Sequence, residues 1–588
     1  MRPEERALDA RLSQRTEPAQ PGFSTTTFPR DVQRSPLPAT RRGEGRAAFL
    51  LLFLGIVLEL TYVVLYPLLA VITNVGTTAK QSSISTVQQA LPTLFPWLPN
   101  LYWTTVLPAL PRLLATAPPL NLLDGATQNT AALLLALILL SFAGILVLLA
   151  ARVGNLTPHT LSSPVKSRLW LLLLLTLLFG VTMVLAPTSL NSFSQDMLAY
   201  GLYGRMIAVH HINPYSVAPT AFPTDPVQAL LGLSTTTSYS PVWLDISMGL
   251  SLFSGESIAN ILLNFRLLGL LAHLTNTILL WAIVARFKPQ LRLSLTLLYA
   301  WNPLFLLSGI AYMHQEIVLV TIALLAIFFF QRNSPTIGWV FVVLTALMNL
   351  LWLPLLAIFL RYMLHESRVL RATQRLLWWG GMLVTTAIVI LLAYAPYWQS
   401  LGFSGLGSLL YTTFLPATAI NSLDASLLHL PIASHVQWII APHRWSLLTL
   451  GIATFFLLLG ILLADTLELV LLFSSWILLT LVFLSPVYWP WYALGPVAIA
   501  LSSTHRRTIL LAILLTAGAV ASYYALLRTS WTGLALVTIG VPLILWGWIL
   551  FFSATWQMMS ERIERERVTS RTSRQVRRSS GWSRPPRG

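Results

Sequence analysis

Apolar residues recur along this chain in blocks of roughly 20, separated by short polar or charged breaks. A block of that length forms a helix long enough to cross a ~30 Å hydrocarbon layer. The pattern predicts spans at 47–71, 131–151, 169–185, 258–284, 293–311 and 317–330, and then at 376–394, 446–464, 470–484, 491–501, 508–525 and 534–552. One further apolar run, Ile337 to Leu360, has Arg332 before it and Arg361, Arg368, Arg371 and Arg375 after it. Two half-length helices meeting around Asn349 and Pro354 would let both basic flanks face the same side. A single tilted span with the opposite downstream topology is the competing arrangement. The fold expected is an all-α polytopic membrane protein, a bundle of about twelve transmembrane helices plus a broken-helix hairpin.

Composition agrees with this pattern. Of 588 residues, 55% are hydrophobic and 10% charged, against about 25% charged in soluble domains. The formal net charge of +17 does not imply nucleic acid, because many arginines lie in the two tails and in short loops, where they orient the spans. Anionic membrane lipids are the expected partners of these arginines, and no nucleic acid is expected. Both termini are placed in the cytoplasm. The chain has no cysteine, which excludes a disulfide framework and thiolate metal sites.

The organisation expected is a disordered basic tail over 1–46, a two-span extension with an interfacial outer loop over 47–168, a transmembrane core over 169–552, and a second basic cytoplasmic tail over 553–588. Within the core, the outer loop 186–257 carries Asp196, Asp225, Asp245 and Glu256 but only one arginine, Arg205. That balance is the reverse of the loops placed inside, and it puts this loop on the extracytoplasmic face.

Candidate chemistry concentrates there. Asp196, just beyond the 169–185 span, can act as a general base on a water-side substrate or as the N-cap of a helix over 197–208. Arg205 and Arg266 can hold an anionic group through bidentate guanidinium contacts, or can snorkel to the headgroups. His314 and Glu316, where one predicted span turns into the next, suit a hydroxyl-rich substrate or a divalent cation, the other reading being a satisfied interfacial pair. His210 and His211 are sequence neighbours with diverging side chains, a poor shared metal site. The aromatic groups 394–398 and 488–492 suit interfacial anchoring, and they also suit stacking on sugar rings. No Walker A loop, Rossmann fingerprint or HExxH helix is present, so an enzyme of this kind needs its energy in the substrate.

Several segments in order, SQDMLAYGLYGRMIAVHHINPY from Ser194, SYSPVWLDI from Ser238, NFRLLGLLAHL from Asn264, WNPLFLLSGIAYMHQE from Trp301, YAPYW from Tyr394 and VYWPWYALGP from Val487, resemble polyprenyl-phosphate-dependent glycosyltransferases of the GT-C superfold. The resemblance is strongest to the bacterial alpha-1,6-mannopyranosyltransferase type. It implies transfer of a sugar, mannose, from a polyprenyl-phosphate donor to a glycan or glycolipid acceptor on the extracytoplasmic face. It maps the catalytic base onto Asp196, donor-phosphate binding onto Arg266 and Arg205, and substrate contacts onto Tyr200, Asn213, Tyr215, Tyr239, His314 and Glu316. Ser240 stands where the family pattern has glycine, and Glu316 closes a His-Gln-Glu in place of His-Asn-Asp. A lipid-linked-sugar flippase or secondary transporter is the alternative, motivated by span count, broken hairpin and intramembrane arginine. A non-catalytic assembly subunit is a third.

Overall fold

A computed structural model of the chain describes residues 49, 52–59, 144, 164–185, 195–428, 430, 433–526 and 535–552. Both tails, the span expected at 131–151 and the loop before it, apart from residue 144, lie outside the described residues, as does much of the first span. Helices are the dominant element of the described residues, which hold no strand and one isolated parallel bridge, Ile420 to Val487.

Four helical segments among the described residues are long and apolar enough to cross a membrane: Ile258–Phe287, Leu350–Val369, Ala372–Phe414 and Pro442–Leu463. Fewer full-length spans than the sequence pattern predicts are thus found among the described residues, which leave out the block at 131–151 and much of the first; other apolar blocks are shortened or bent. The run expected to form one span over 293–311 breaks into Pro289–Ala300 and Pro303–Ala311, bent by 48°. The cause is local: Asn302 caps the second piece by accepting from the Leu304 N–H at 3.0 Å, and Pro303 cannot continue a helix inward from that point. The run over 337–360 is also interrupted. Pro335–Met348 ends at Asn349, whose extended backbone and side-chain acceptor start a new turn at Leu351, and Leu353–Glu366 follows. Ala372–Tyr394 and Trp398–Phe414 likewise meet at a short 3-10 turn.

Packing is organised around the long helix Ile258–Phe287, which contacts Pro164–Val184, Arg292–Ala300 and Glu316–Gln331. Ser257 caps its first turn at Asn260, and its inward residues, including Ile261, Phe265, Leu280 and Ile283, are fully buried. Asp196–Ala208 lies against Pro241–Leu252. Their backbones approach closely at Gly204, where a Cβ would collide with the Ser247 carbonyl oxygen, and only glycine leaves room for that approach. This pair carries Asp196 at one end.

Candidate functional site

Asp196 opens the helix Asp196–Ala208, with Gln195 in the capping position, so the acid occupies the first turn, where the helix dipole favours a negative charge. Its side chain is 32% exposed. On one side the Tyr239 hydroxyl donates to Asp196 Oδ1 at 3.2 Å. On the other, His314 Nδ1 lies 3.2 Å from Oδ2, within ion-pair reach though without hydrogen-bond alignment, and His314 Nε2 has no partner. His314 is fully buried, and its ring stacks on Trp491 with centroids 3.9 Å apart and planes 7° apart. Burial holds the His314 ring below the ordinary histidine range against the pull of Asp196, so the imidazole is neutral at pH 7. Burial first, and then the neighbouring Asp196 charge, pushes the Tyr239 hydroxyl well above its usual range, which keeps it a donor.

The turn that delivers His314 is backbone-strained. Met313 has φ of 41°, in the left-handed region that a methionine rarely adopts, and the His314 N–H is tied to the Ser308 carbonyl at 2.9 Å. Glu316 follows as the first residue of Glu316–Gln331. It is buried within electrostatic reach of Asp196, and its Oε2 has no hydrogen-bond partner.

Several of the residues expected to contact substrate brace the site. Asn213 Oδ1 accepts from the Tyr215 N–H at 3.0 Å, and the Pro214 carbonyl accepts from the Thr237 N–H at 3.1 Å. The Tyr215 hydroxyl donates to the Tyr239 carbonyl. The Asn-Pro-Tyr turn thus grips the 237–239 loop, and that loop presents the hydroxyl that holds Asp196. Tyr200 is buried beneath, edge-on to Tyr239 and Trp243 at 4.9 Å each. Such pairs fix ring orientation as well as burying area.

The two arginines are placed as tie points of the scaffold. Arg205 is buried, its Nε 2.9 Å from Asp225 Oδ2, and its Nη1 donates to the Gly255 carbonyl. Asp225 also receives His210 Nε2 at 3.1 Å and caps the helix Pro226–Leu231 through the Val227 and Gln228 N–H groups. Burial pushes the Asp225 carboxyl up, but these hydrogen bonds prevail and hold it below the usual range. Arg266 does not snorkel. It is 1% exposed, and it donates from Nε to Ala311 O and from Nη1 to Val184 O, both at 2.9 Å. Those carbonyls end two helical segments, where acceptors are left over and the dipole is negative.

The site also uses residues that sequence reasoning assigned elsewhere. Trp491 and Tyr492, read as interfacial anchors, turn inward, Trp491 onto His314 and Tyr492 within reach of both Glu316 and Asp196. Tyr397, from the other aromatic group, donates to Asp245 Oδ1 at 2.6 Å and packs edge-on against Tyr215. The signal was present in the WPWY and YAPYW segments; what was missing was the direction they face. Of the two neighbouring histidines, His210 stacks on Phe222 at 4.1 Å. Among the described residues no group of three or more His, Asp or Glu side chains is arranged to hold a metal ion.

A strongly apolar chain whose described residues are mostly helical, with a partly exposed carboxylate between a tyrosine hydroxyl and a buried histidine, fits a membrane protein with a polar site. The comparison with protein families gives that class its type: residues 103–366 match the model described as alpha-(1->6)-mannopyranosyltransferase, N-terminal domain, of the MptA/B family. The resemblance to the mannosyltransferase type is thereby borne out, over a stretch that includes Asp196, Tyr239, Arg266, His314 and Glu316 and ends before the YAPYW and WPWY segments. No curated protein and no solved structure matches the chain.

Proposed function

We propose that the protein transfers mannose from a polyprenyl-phosphate donor to a glycan or glycolipid acceptor on the extracytoplasmic face of a membrane. The chain would cross that membrane about twelve times, with both termini in the cytoplasm. The observation that carries this reading is the placement of Asp196 within the family-matched region, between Tyr239 and His314, buried enough to be oriented and open enough to meet a substrate. Asp196 takes the proton of the acceptor hydroxyl. That oxygen then bonds to the anomeric carbon, and the bond from this carbon to phosphate oxygen breaks, its electron pair leaving with the polyprenyl phosphate. The anomeric configuration inverts. Tyr239 on one carboxylate oxygen and neutral His314 beside the other hold the acid in one orientation toward the acceptor.

The test is transfer by purified protein supplied with polyprenyl-phosphate mannose and candidate acceptors. Asp196→Asn, which retains shape and polarity, is expected to lower kcat by about 10²–10⁴ with the melting temperature unchanged, the usual contribution of a positioned base. A variant as active as the parent removes Asp196 from that role. Movement of lipid-linked sugar across proteoliposomes without any transfer would support the transporter reading instead.

A further inference from the structure

Beside Glu316 the fold leaves a cavity of about 220 Å³. A single water needs only ~10–15 Å³, so the space is far larger than a water site, while falling just under the ~300 Å³ where drug-sized pockets begin. Its walls have two characters. Gln315, Glu316, Asn349 and Thr413 supply polar groups, and Trp352 and Tyr492 supply aromatic ones. Gln315 Oε1 and Glu316 Oε2 are buried without hydrogen-bond partners. Leaving such atoms unpaired is costly, and a bound hydroxyl is one way of satisfying them. Asn349 has its Oδ1 engaged by the Leu351 N–H, which leaves its amide hydrogens free for another acceptor.

We infer that this cavity is a binding pocket for a single hexopyranose ring, whose hydroxyls meet Gln315, Glu316 and Asn349 while its C–H face lies against Trp352 or Tyr492. A ring with a hydroxylated rim and an apolar face matches a small pocket with both kinds of wall. Glu316 and Tyr492 line the cavity, and both lie close enough to Asp196 to feel its charge. As the pocket adjoins that acid, the inference rests on the transferase reading for the origin of the sugar, which is either the lipid-linked donor or the terminal residue of the acceptor.

The test uses the full-length purified protein and two variants. Thr413→Phe fills the space, and Asn349→Asp keeps the acceptor for Leu351 while removing the amide donor. Dissociation constants for methyl α-mannopyranoside are read by ligand-observed NMR, and transfer kinetics are run with donor and acceptor varied in turn. At least tenfold weaker binding of the methyl glycoside is expected in both variants, together with a tenfold or greater rise in one KM. A rise in donor KM identifies the lipid-linked sugar as the occupant, and a rise in acceptor KM identifies the glycan. If Thr413→Phe melts early, Asn349→Asp carries the test alone. Folded variants that bind and turn over like the parent overturn the pocket while leaving the transferase reading intact. A protein without transferase activity that binds the methyl glycoside, and loses it in these variants, overturns the transferase reading while leaving the pocket.

Discussion

Asp225→Asn decides whether Arg205 serves the scaffold or the substrate. The substitution preserves side-chain shape and an oxygen that can still accept from the Val227 N–H, so the cap on Pro226–Leu231 survives. What it removes is the charge opposite Arg205, in a pair whose side chains are 3% and 0% exposed. A buried guanidinium without its counter-ion typically costs 3–5 kcal/mol, because its desolvation is no longer compensated. At 1.4 kcal/mol per factor of ten, the local unfolding equilibrium should shift by about 10² to more than 10³. The assay is thermal unfolding in detergent of the parent, Asp225→Asn, Arg205→Met and the double variant. Each single change should be destabilising, and the double should recover part of the loss, with a coupling of about 1–3 kcal/mol, as expected for contacting charges. Linkage adds a pH signature. The folded carboxyl lies below its ordinary value of 3.8, so this stabilisation is present above that value and is lost as pH falls through the folded pKa. The protective effect of Asp225 should therefore be constant near neutrality and disappear only in acid. An Arg205→Met protein that melts like the parent but fails to bind polyprenyl phosphate would refute this reasoning and return Arg205 to the substrate.

Three further outcomes follow from the same geometry. Tyr239→Phe keeps the ring against Tyr200 and Tyr203 but deletes the hydroxyl on Asp196; a hydrogen bond to a charged group is worth about 1.5–3 kcal/mol, so kcat should fall about tenfold to a hundredfold with little change in melting. Arg266→Met leaves the Ala311 and Val184 carbonyls without their buried donor, and it should lower thermal stability by about 2–5 kcal/mol in the detergent-solubilised protein, where a residue that only held donor phosphate would change KM and leave stability alone. Gly204→Ala drives a methyl group into the Ser247 carbonyl, and the forced separation of Asp196–Ala208 from Pro241–Leu252 should cost about 1–3 kcal/mol by thermal melting and slow transfer, whereas Gly249→Ala, with open space around it, should do neither.

The sequence by itself determined the class of this protein and the position of its acid. Long apolar blocks with few charges can only be helices in an apolar surround, and an aspartate, a histidine and a glutamate stand out against such a background. The resemblance carried by the Asp196 and His314 segments was legible in residue order alone. The partners of those residues were not. Whether Arg266 snorkels or closes two helix ends depends on carbonyls 45 and 82 positions away in sequence, and whether Tyr239 touches sugar or Asp196 depends on a loop held by Tyr215. Tertiary structure also decided how the apolar runs break. A 20-residue hydropathy pattern looks the same for a straight span and for one bent at Asn302–Pro303 or interrupted at Asn349, because the capping oxygen that starts each new turn adds almost nothing to hydropathy. Those interruptions put Asn349 and the turn before Glu316 around the cavity. Helix periodicity can indicate which residues share a face of one element, but the direction in which Trp491 and Glu316 point is set by long-range packing between elements.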